Sequence, residues 1–464
     1  MRRSNVWLLT LVACLTLVIA ACGGADDPES AGDAPAGEAA TDDAPADDAA
    51  TDDGDAADPA TDDAAAAEDV TITFVNWASA EEATRPNIDQ VIADFEEANP
   101  NITIDSVPIP FGDIPSQITT MAQAGNAPDV AQTAVGYTAT FAGLGILEPL
   151  DSYDEELVGQ LAEPLVDLGR DADGALVALP WQAAPFGFWY NRDLMEQAGL
   201  DPESPPETLD EFTEAMMQVR SELTDVVPFG LDTSIRDFGL DHNWAPMLAF
   251  GAEPIMADGT FAANTPQMRE YVEWVGLLMD EGLTQPARRL GEFRPLAAGD
   301  QLAFAFDGPY FKGTLQSIDT ELTDEAFYDK WGVTGFPAGE DGEHYTVPTD
   351  HQLVMFADSE NKDAAWLFMS HLAANEEALR TYILPTGSLP GRADAVELFP
   401  EELDNPVIAS FQSDVLPGLV RPPYGPQYPS QATIIMTELQ RVFAEGGAPE
   451  DIVESMQQNL ESAQ

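Results

Sequence analysis

Leu179-Pro180-Trp181-Gln182-Ala183-Ala184-Pro185-Phe186-Gly187-Phe188-Trp189-Tyr190-Asn191-Arg192-Asp193 is apolar, rich in aromatic residues and interrupted by proline and glycine. A buried strand has this composition. So has a segment that passes between domains and shows aromatic faces to a cleft. The chain before the stretch reads as one α/β unit, and the chain after it begins a second. The stretch is therefore expected to join two lobes and to help line the cleft between them. Leu179 to Ala184 is expected to form the first crossing, with Trp181 facing the cleft. Pro185 to Asp193 is expected to open the second lobe, with Trp189 packed inside.

Upstream, Val70, Ile72 and Phe74 alternate with Thr71 and Thr73, a strand that ends at Asn76-Trp77. Ile88, Val91, Ile92 and Phe95 come next at helical spacing, closed by Asn99-Pro100. A strand from Ile102, a helix marked by Ile114, Ile118 and Met121, and a short strand at Asp129 to Gln132 complete a strand-helix-strand-helix-strand order. That order implies a parallel sheet. Ligands of such sheets bind beyond the carboxyl ends of the strands, which places Trp77, Gln132 and Thr133 near a ligand. Downstream, Leu302 to Phe306 reads as a buried strand that stops at Asp307-Gly308-Pro309-Tyr310. Helices are expected around Ala365 to Leu372, Ile434 to Phe443 and Ile452 to Leu460.

The 464 residues carry 18 basic and 83 acidic side chains. Arg2 and Arg3 precede an apolar run from Val6 to Ala21, the form of a secretory signal. Ile19-Ala20-Ala21-Cys22 resembles the bacterial lipobox, so residues 1–21 are read as a signal peptide and Cys22 as the lipidated N-terminus. Residues 22–69, dominated by Ala, Asp and Thr, have no apolar periodicity and read as a disordered acidic tether. An acidic surface of this size repels nucleic acid and anionic lipid. Only Lys312, Lys330 and Lys362 are lysines. This balance fits either adaptation to high salt or a GC-rich genome.

Six motifs in order resemble the extracellular solute-binding proteins of carbohydrate-type ABC importers, the maltose-binding-like group. They are Phe95-Glu96-Glu97-Ala98-Asn99-Pro100-Asn101-Ile102; Ala124-Gly125-Asn126-Ala127-Pro128-Asp129-Val130; Trp189 to Leu194 with the later Ala198-Gly199-Leu200 and Pro205-Pro206; Asp307 to Tyr310; Asn361 to Trp366; and Gly387 to Arg392. The resemblance covers about residues 70–462. It implies an α/β, two-lobed periplasmic-binding-protein-like fold of type II, with a ligand cleft between lobes that close by a hinge. Placed by this resemblance, lobe one is 70–182 with 331–376, and lobe two is 183–330 with 377–464. The implied function is that of a lipid-anchored, extracytoplasmic binder. It would capture a mono- or oligosaccharide and deliver it to the permease subunits of an ABC importer as a monomer, without nucleic acid. A glycerol-3-phosphate or other polyol-phosphate binder is the alternative, with Arg392, Arg236 and Arg421 as candidate phosphate partners. A secreted carbohydrate-active enzyme is the rival from another class.

Sugars present hydroxyls and C–H patches, so their recognition needs aromatic faces and side chains that hydrogen-bond in pairs. Trp77, Glu82, Trp181, Trp244, Asp307, Tyr310, Asp350, His351 and Arg392 are the candidate ligand-binding residues. Each has a plainer alternative: Trp77, Trp181 and Trp244 as core, Asp350 and His351 as a satisfied turn, Arg392 as a surface ion pair. Trp244 is read in a loop spanning Asp241 to Pro246. The four histidines have no HExxH spacing, and no P-loop or dinucleotide fingerprint occurs. No cofactor, metal or catalytic residue is expected.

Overall fold

Among the described residues the expected periods settle into ten strands: β1 (Val70–Asn76), β2 (Ile102–Pro108), β3 (Val130–Ala134), β4 (Leu179–Ala183), β5 (Gly187–Asn191), β6 (Val227–Gly230), β7 (Leu302–Asp307), β8 (Trp331–Thr334), β9 (His351–Met355) and β10 (Leu389–Pro390). The computed structural model describes residues 69–463. The expected signal peptide, the expected lipidation site Cys22 and the expected tether up to residue 68 lie outside the described residues. Among the described residues no helix is long and apolar enough to cross a membrane.

The strands form two sheets. The first has the order β10-β4-β9-β3-β1-β2 and the second β6-β7-β5-β8. β1 runs parallel to β2 and β3, as the βαβ reading requires, whereas β9 lies antiparallel between β3 and β4. Both sheets are covered on both faces. Ile72 and Phe74 of β1 join the core that includes Phe95 and Phe368, while Val75 and Trp77 join Ile114, Ile118 and Phe141 on the other side. β5 divides likewise: Phe188 and Tyr190 pack towards Phe212 and Phe304, and the fully buried Trp189 packs towards Phe311, Phe327 and Trp331. Each strand thus carries hydrophobic side chains both ways, the mark of a sheet with no solvated face.

Local signals account for several boundaries. After Pro205-Pro206, Thr208 caps the helix Leu209–Glu222: its hydroxyl accepts from the Glu211 N–H, and the Glu211 carboxylate accepts from the Thr208 N–H. Asn191 ends β5 and caps the helix Arg192–Gln197 by accepting from the Leu194 N–H.

The chain passes between the sheets three times. Residues 184–186 make the first passage, from β4 to β5. Residues 347–350 make the second and lie beside it. The Phe186 N–H donates to the Val347 carbonyl and the Ala184 N–H to Asp350 Oδ1, at 3.3 and 2.6 Å. The third falls at Val407 and Ile408, adjacent residues buried in second-lobe and first-lobe cores respectively. Thr346 ties the second passage to the segment after the third, donating to Gly418 and accepting from Val420, both at 2.8 Å. A side chain at Gly418 would meet the His344 carbonyl oxygen at 1.7 Å, so only glycine permits this approach.

Two expected boundaries move. Residues 331–334, expected in lobe one, form β8 and pair with β5 in the second sheet. Residues 377–403, expected in lobe two, stay with the first: Leu379, Tyr382, Phe399 and Leu403 join its core, and β10 pairs with β4. Strand pairing partners, unlike strand positions, are not written in local sequence. The expected loop around Trp244 is also different. It is the helix Asp237–Ala249, with Pro246 inside. Its polar residues are turned inward and paired: Asn243 Nδ2 donates to the Asp232 and Gly239 carbonyls at 2.8 and 2.6 Å, and His242 Nε2 to the Phe306 carbonyl at 2.6 Å.

Candidate functional site

A cavity of about 520 Å³ lies between the two sheets, within the size range of small-molecule sites. The first lobe contributes Trp77 just after β1, Glu81, Phe111, Gln182 of β4, His351 at the start of β9, and Tyr382. The second contributes Arg236, Phe238, Arg289, Arg294 and Tyr310. Rings meet across the cleft: Phe111 edges Phe238 at 5.4 Å, and Tyr310 lies nearly parallel to His351 at 6.4 Å. Trp77 sits edge-on to both Phe111 and His351, at 5.1 and 4.8 Å. The walls are therefore largely aromatic, as a binder of C–H faces needs.

The cations in the cavity are mostly neutralised from behind. Arg294 makes a two-pronged pair with the buried carboxylate of Asp307, at 2.9 and 3.0 Å, and stacks over Tyr310 at 5.2 Å. Burial opposes the charge on Arg294, but Asp307 more than offsets it and its pKa is raised. Arg236 pairs with the fully buried Asp232 at 2.6 Å. Asp232 also accepts from the Ser234 hydroxyl and from the Leu290 N–H. Arg289 is exposed at the cavity and Glu292 stands near it. Glu81 faces the cleft, where surrounding protein raises its carboxyl pKa against the opposing pull of Arg294.

The first-lobe floor is a chain of amides. Gln132 is fully buried. Its Oε1 accepts from the Trp77 and Ala78 N–H groups, both at 3.2 Å, and its Nε2 lies 3.4 Å from His351 Nδ1. Burial pushes the His351 imidazole down to about 3, so it is neutral at pH 7. Gln182 Nε2 donates to Ser388 Oγ at 2.6 Å, and its buried Oε1 has no partner.

Of the nine candidate ligand-binding residues, Trp77, Tyr310 and His351 line the cavity. The others do not. Trp181 is 1% exposed and stacks behind Tyr382 at 4.6 Å. Trp244 lies in the second-lobe core, its polar-looking neighbourhood being helix rather than loop. Glu82 is exposed, and its neighbour Glu81 lines the cavity instead. Asp307 spends both oxygens on Arg294. Asp350 is buried at the second passage, bound to the Ala184 N–H. Arg392 grips Asp394 twice at 2.8 Å and donates to the Ala374 carbonyl within the first lobe. Arg421 is exposed away from the cavity, while Arg236 lines it. Arg294, Gln182, Tyr382, Phe111 and Phe238 were not anticipated. Arginine scarcity was the available signal for Arg294, because few cations exist to neutralise a buried Asp307. Among the described residues no group of three or more His, Cys, Asp and Glu is placed to hold a metal ion.

A family model described as bacterial extracellular solute-binding protein matches residues 78–379. A binding protein of Brucella abortus (strain 2308) is 26% identical over 376 residues, covering 80% of this chain and 88% of that one. Among solved structures, an ABC transporter solute-binding protein from Thermotoga lettingae, bound with alpha-D-tagatose, superimposes with a TM-score of 0.75. It is 23% identical and covers 85% of this chain and 99% of its own. The maltose-bound MalE3 of T. maritima gives 0.74 at 19% identity, covering 85% and 100%. These likenesses extend the two-lobed fold to the whole described body.

Proposed function

Because the chain belongs to the bacterial extracellular solute-binding proteins, we propose that it captures a neutral mono- or oligosaccharide between its lobes and hands it to the permease of an ABC importer. The observation that carries the choice of ligand is the pairing of cleft arginines with buried carboxylates. Arg294 and Arg236 each spend part of a guanidinium fork on Asp307 or Asp232. The rest of each fork is left as N–H donors with the charge compensated. Hydroxyl oxygens can accept from such donors, and Trp77, Tyr310 and Tyr382 give the cavity an aromatic lining suited to the C–H patches of a sugar. A phosphate would instead need uncompensated cations. Arg289 is the residue on which a polyol-phosphate reading would rest.

Binding would close the lobes about the three adjacent passages, the hinge motion available to two domains joined at one edge. Residues 184–186 and 347–350 are the segments whose backbone angles would change. The signal and lipobox readings add anchoring at Cys22, with the acidic tether holding the binding body away from the membrane. No step of bond-making is assigned to the site.

Isothermal calorimetry with maltose, maltotriose, D-glucose, D-tagatose and sn-glycerol 3-phosphate tests the ligand class. A sugar should bind one per chain, unchanged on recovery, and the phosphate should not. Chemically altered sugar on recovery would instead support an enzyme. Cys22→Ser should move the protein from the membrane fraction to the soluble one.

A further inference from the structure

The floor of the cavity holds a feature that aromatic walls and arginines do not explain. Gln182 and His351 face each other across neighbouring antiparallel strands. Both line the cavity. Each has one polar atom committed to protein and one that is not. At His351 the state of the free atom is set by the committed one; at Gln182 it follows from the amide orientation that places Nε2 on Ser388 Oγ.

Gln132 is held by two backbone donors on its Oε1, so its orientation is fixed and its Nε2 must be the atom near His351. An amide nitrogen donates only, so His351 Nδ1 accepts. A neutral imidazole has one N–H, and here that proton belongs on Nε2, the ring nitrogen without a protein partner among the described residues. Gln182 is set in the opposite sense. Its Nε2 is committed to Ser388 Oγ, leaving a buried carbonyl-type oxygen with no donor. A buried acceptor without a partner costs about 1–3 kcal/mol. A ligand hydroxyl or a water molecule that donates to it removes that cost.

We propose that His351 Nε2–H and Gln182 Oε1 are a donor–acceptor pair that selects a ligand with two adjacent hydroxyl groups, and that Gln132 is the positioning residue that sets the imidazole. One hydroxyl oxygen accepts from His351 while the other hydroxyl donates to Gln182. A vicinal diol supplies both. A phosphate dianion or a carboxylate supplies acceptors only and leaves Gln182 unfilled. The inference rests on the sugar reading above and narrows it to sugars whose ring presents a free vicinal pair to this floor.

Two measurements decide it. The first needs no ligand: the ¹⁵N shifts of the His351 ring at pH 7. Protonated Nε2 with bare Nδ1 is expected, and Gln132→Met should redistribute the proton between the two nitrogens. A proton on Nδ1 in the wild type overturns the proposal. The second is calorimetry with D-glucose, D-galactose, maltose and maltotriose, then with the monodeoxy forms of each sugar that binds. Gln182→Met should weaken the parent sugar about tenfold. It should leave unchanged the one deoxy form that lacks the donating hydroxyl. Gln182→Glu, which keeps the acceptor, should recover part of the loss. Equal weakening of parent and all deoxy forms would overturn this assignment while leaving sugar binding intact. Failure of every sugar to bind would overturn the sugar reading and this assignment together, and the ring shifts would still report the state of His351.

Discussion

Replacing Trp181 by alanine removes a ring that is 1% exposed and stacked on Tyr382. Emptying such a site costs about 3–5 kcal/mol, so the unfolding midpoint in urea should drop sharply. A melting point within a few degrees of wild type would mean that Trp181 is not core. Asp307→Ala leaves Arg294 charged and partly buried without its partner, and a broken buried pair costs about 3–5 kcal/mol. Sugar affinity should fall with it, because Arg294 loses its aim. Composition alone points Trp181 into the cleft and gives Gln182 no prominence. The reason both are reversed is a bulge: Pro180 pairs with Gln352 but Gln182 with His351, so Trp181 is an extra residue in the strand. A bulge cancels the period-of-two rule on which side-chain direction rests. Asp307 and Arg392 were legible as charged residues in the right motifs. Their partners, Arg294 and Asp394, decided what they do, and pairing is a tertiary fact.

Asp350 and His351 are consecutive at the second passage, and burial shifts them oppositely, the carboxyl up to about 7 and the imidazole down to about 3. Their unfolded values are about 3.9 and 6.5. Between about pH 4 and 7 the folded chain keeps a proton on Asp350 that the unfolded chain has released. That contribution is therefore whole below about pH 4 and is lost as pH rises through 7. Between about pH 3 and 6.5 the unfolded chain holds a proton on His351 that the folded chain has shed, so this contribution grows with pH and is whole above 6.5. The slopes oppose each other over the shared window. Asp350→Asn should leave stability rising by roughly 1.4 kcal/mol per pH unit between about pH 4 and 6, and His351→Gln should leave it falling. Urea unfolding at several pH values reads both, and slopes of the same sign in the two variants would refute the account. Elements themselves were well marked in the sequence. The β1 alternation and the helix face from Ile88 to Phe95 both sit where local chemistry put them. The helix holding Trp244 was hidden because its inward polar residues read as loop.

At the scale of the molecule, acidic excess persists after residues 1–69 are set aside: they hold two of the 18 basic and seventeen of the 83 acidic side chains. Self-repulsion of the folded body should weaken as the screening length shrinks from about 30 Å at 0.01 M salt to about 3 Å at 1 M. The urea midpoint should accordingly rise with added NaCl, and a flat response would remove any claim of adaptation to saline surroundings. The family motifs made the two-lobed plan readable, whereas which lobe holds residues 331–334 and 377–403 depended on strand pairing between distant segments. That pairing has a consequence for the order in which the chain can be built. β9 fits between β3 and β4, with Leu353 opposite both Gln132 and Leu179. A polypeptide emerging from its N-terminus therefore makes both flanking strands long before the strand that joins them. The first lobe is begun first and completed late, with two open sheet edges in the interval. Pairings this far apart in sequence form slowly, and a chain stopped at residue 340 should show no cooperative unfolding transition by circular dichroism. Until β9 arrives, the facing edges of β3 and β4 stay free to pair with other chains, so the unfinished lobe is the form most exposed to aggregation.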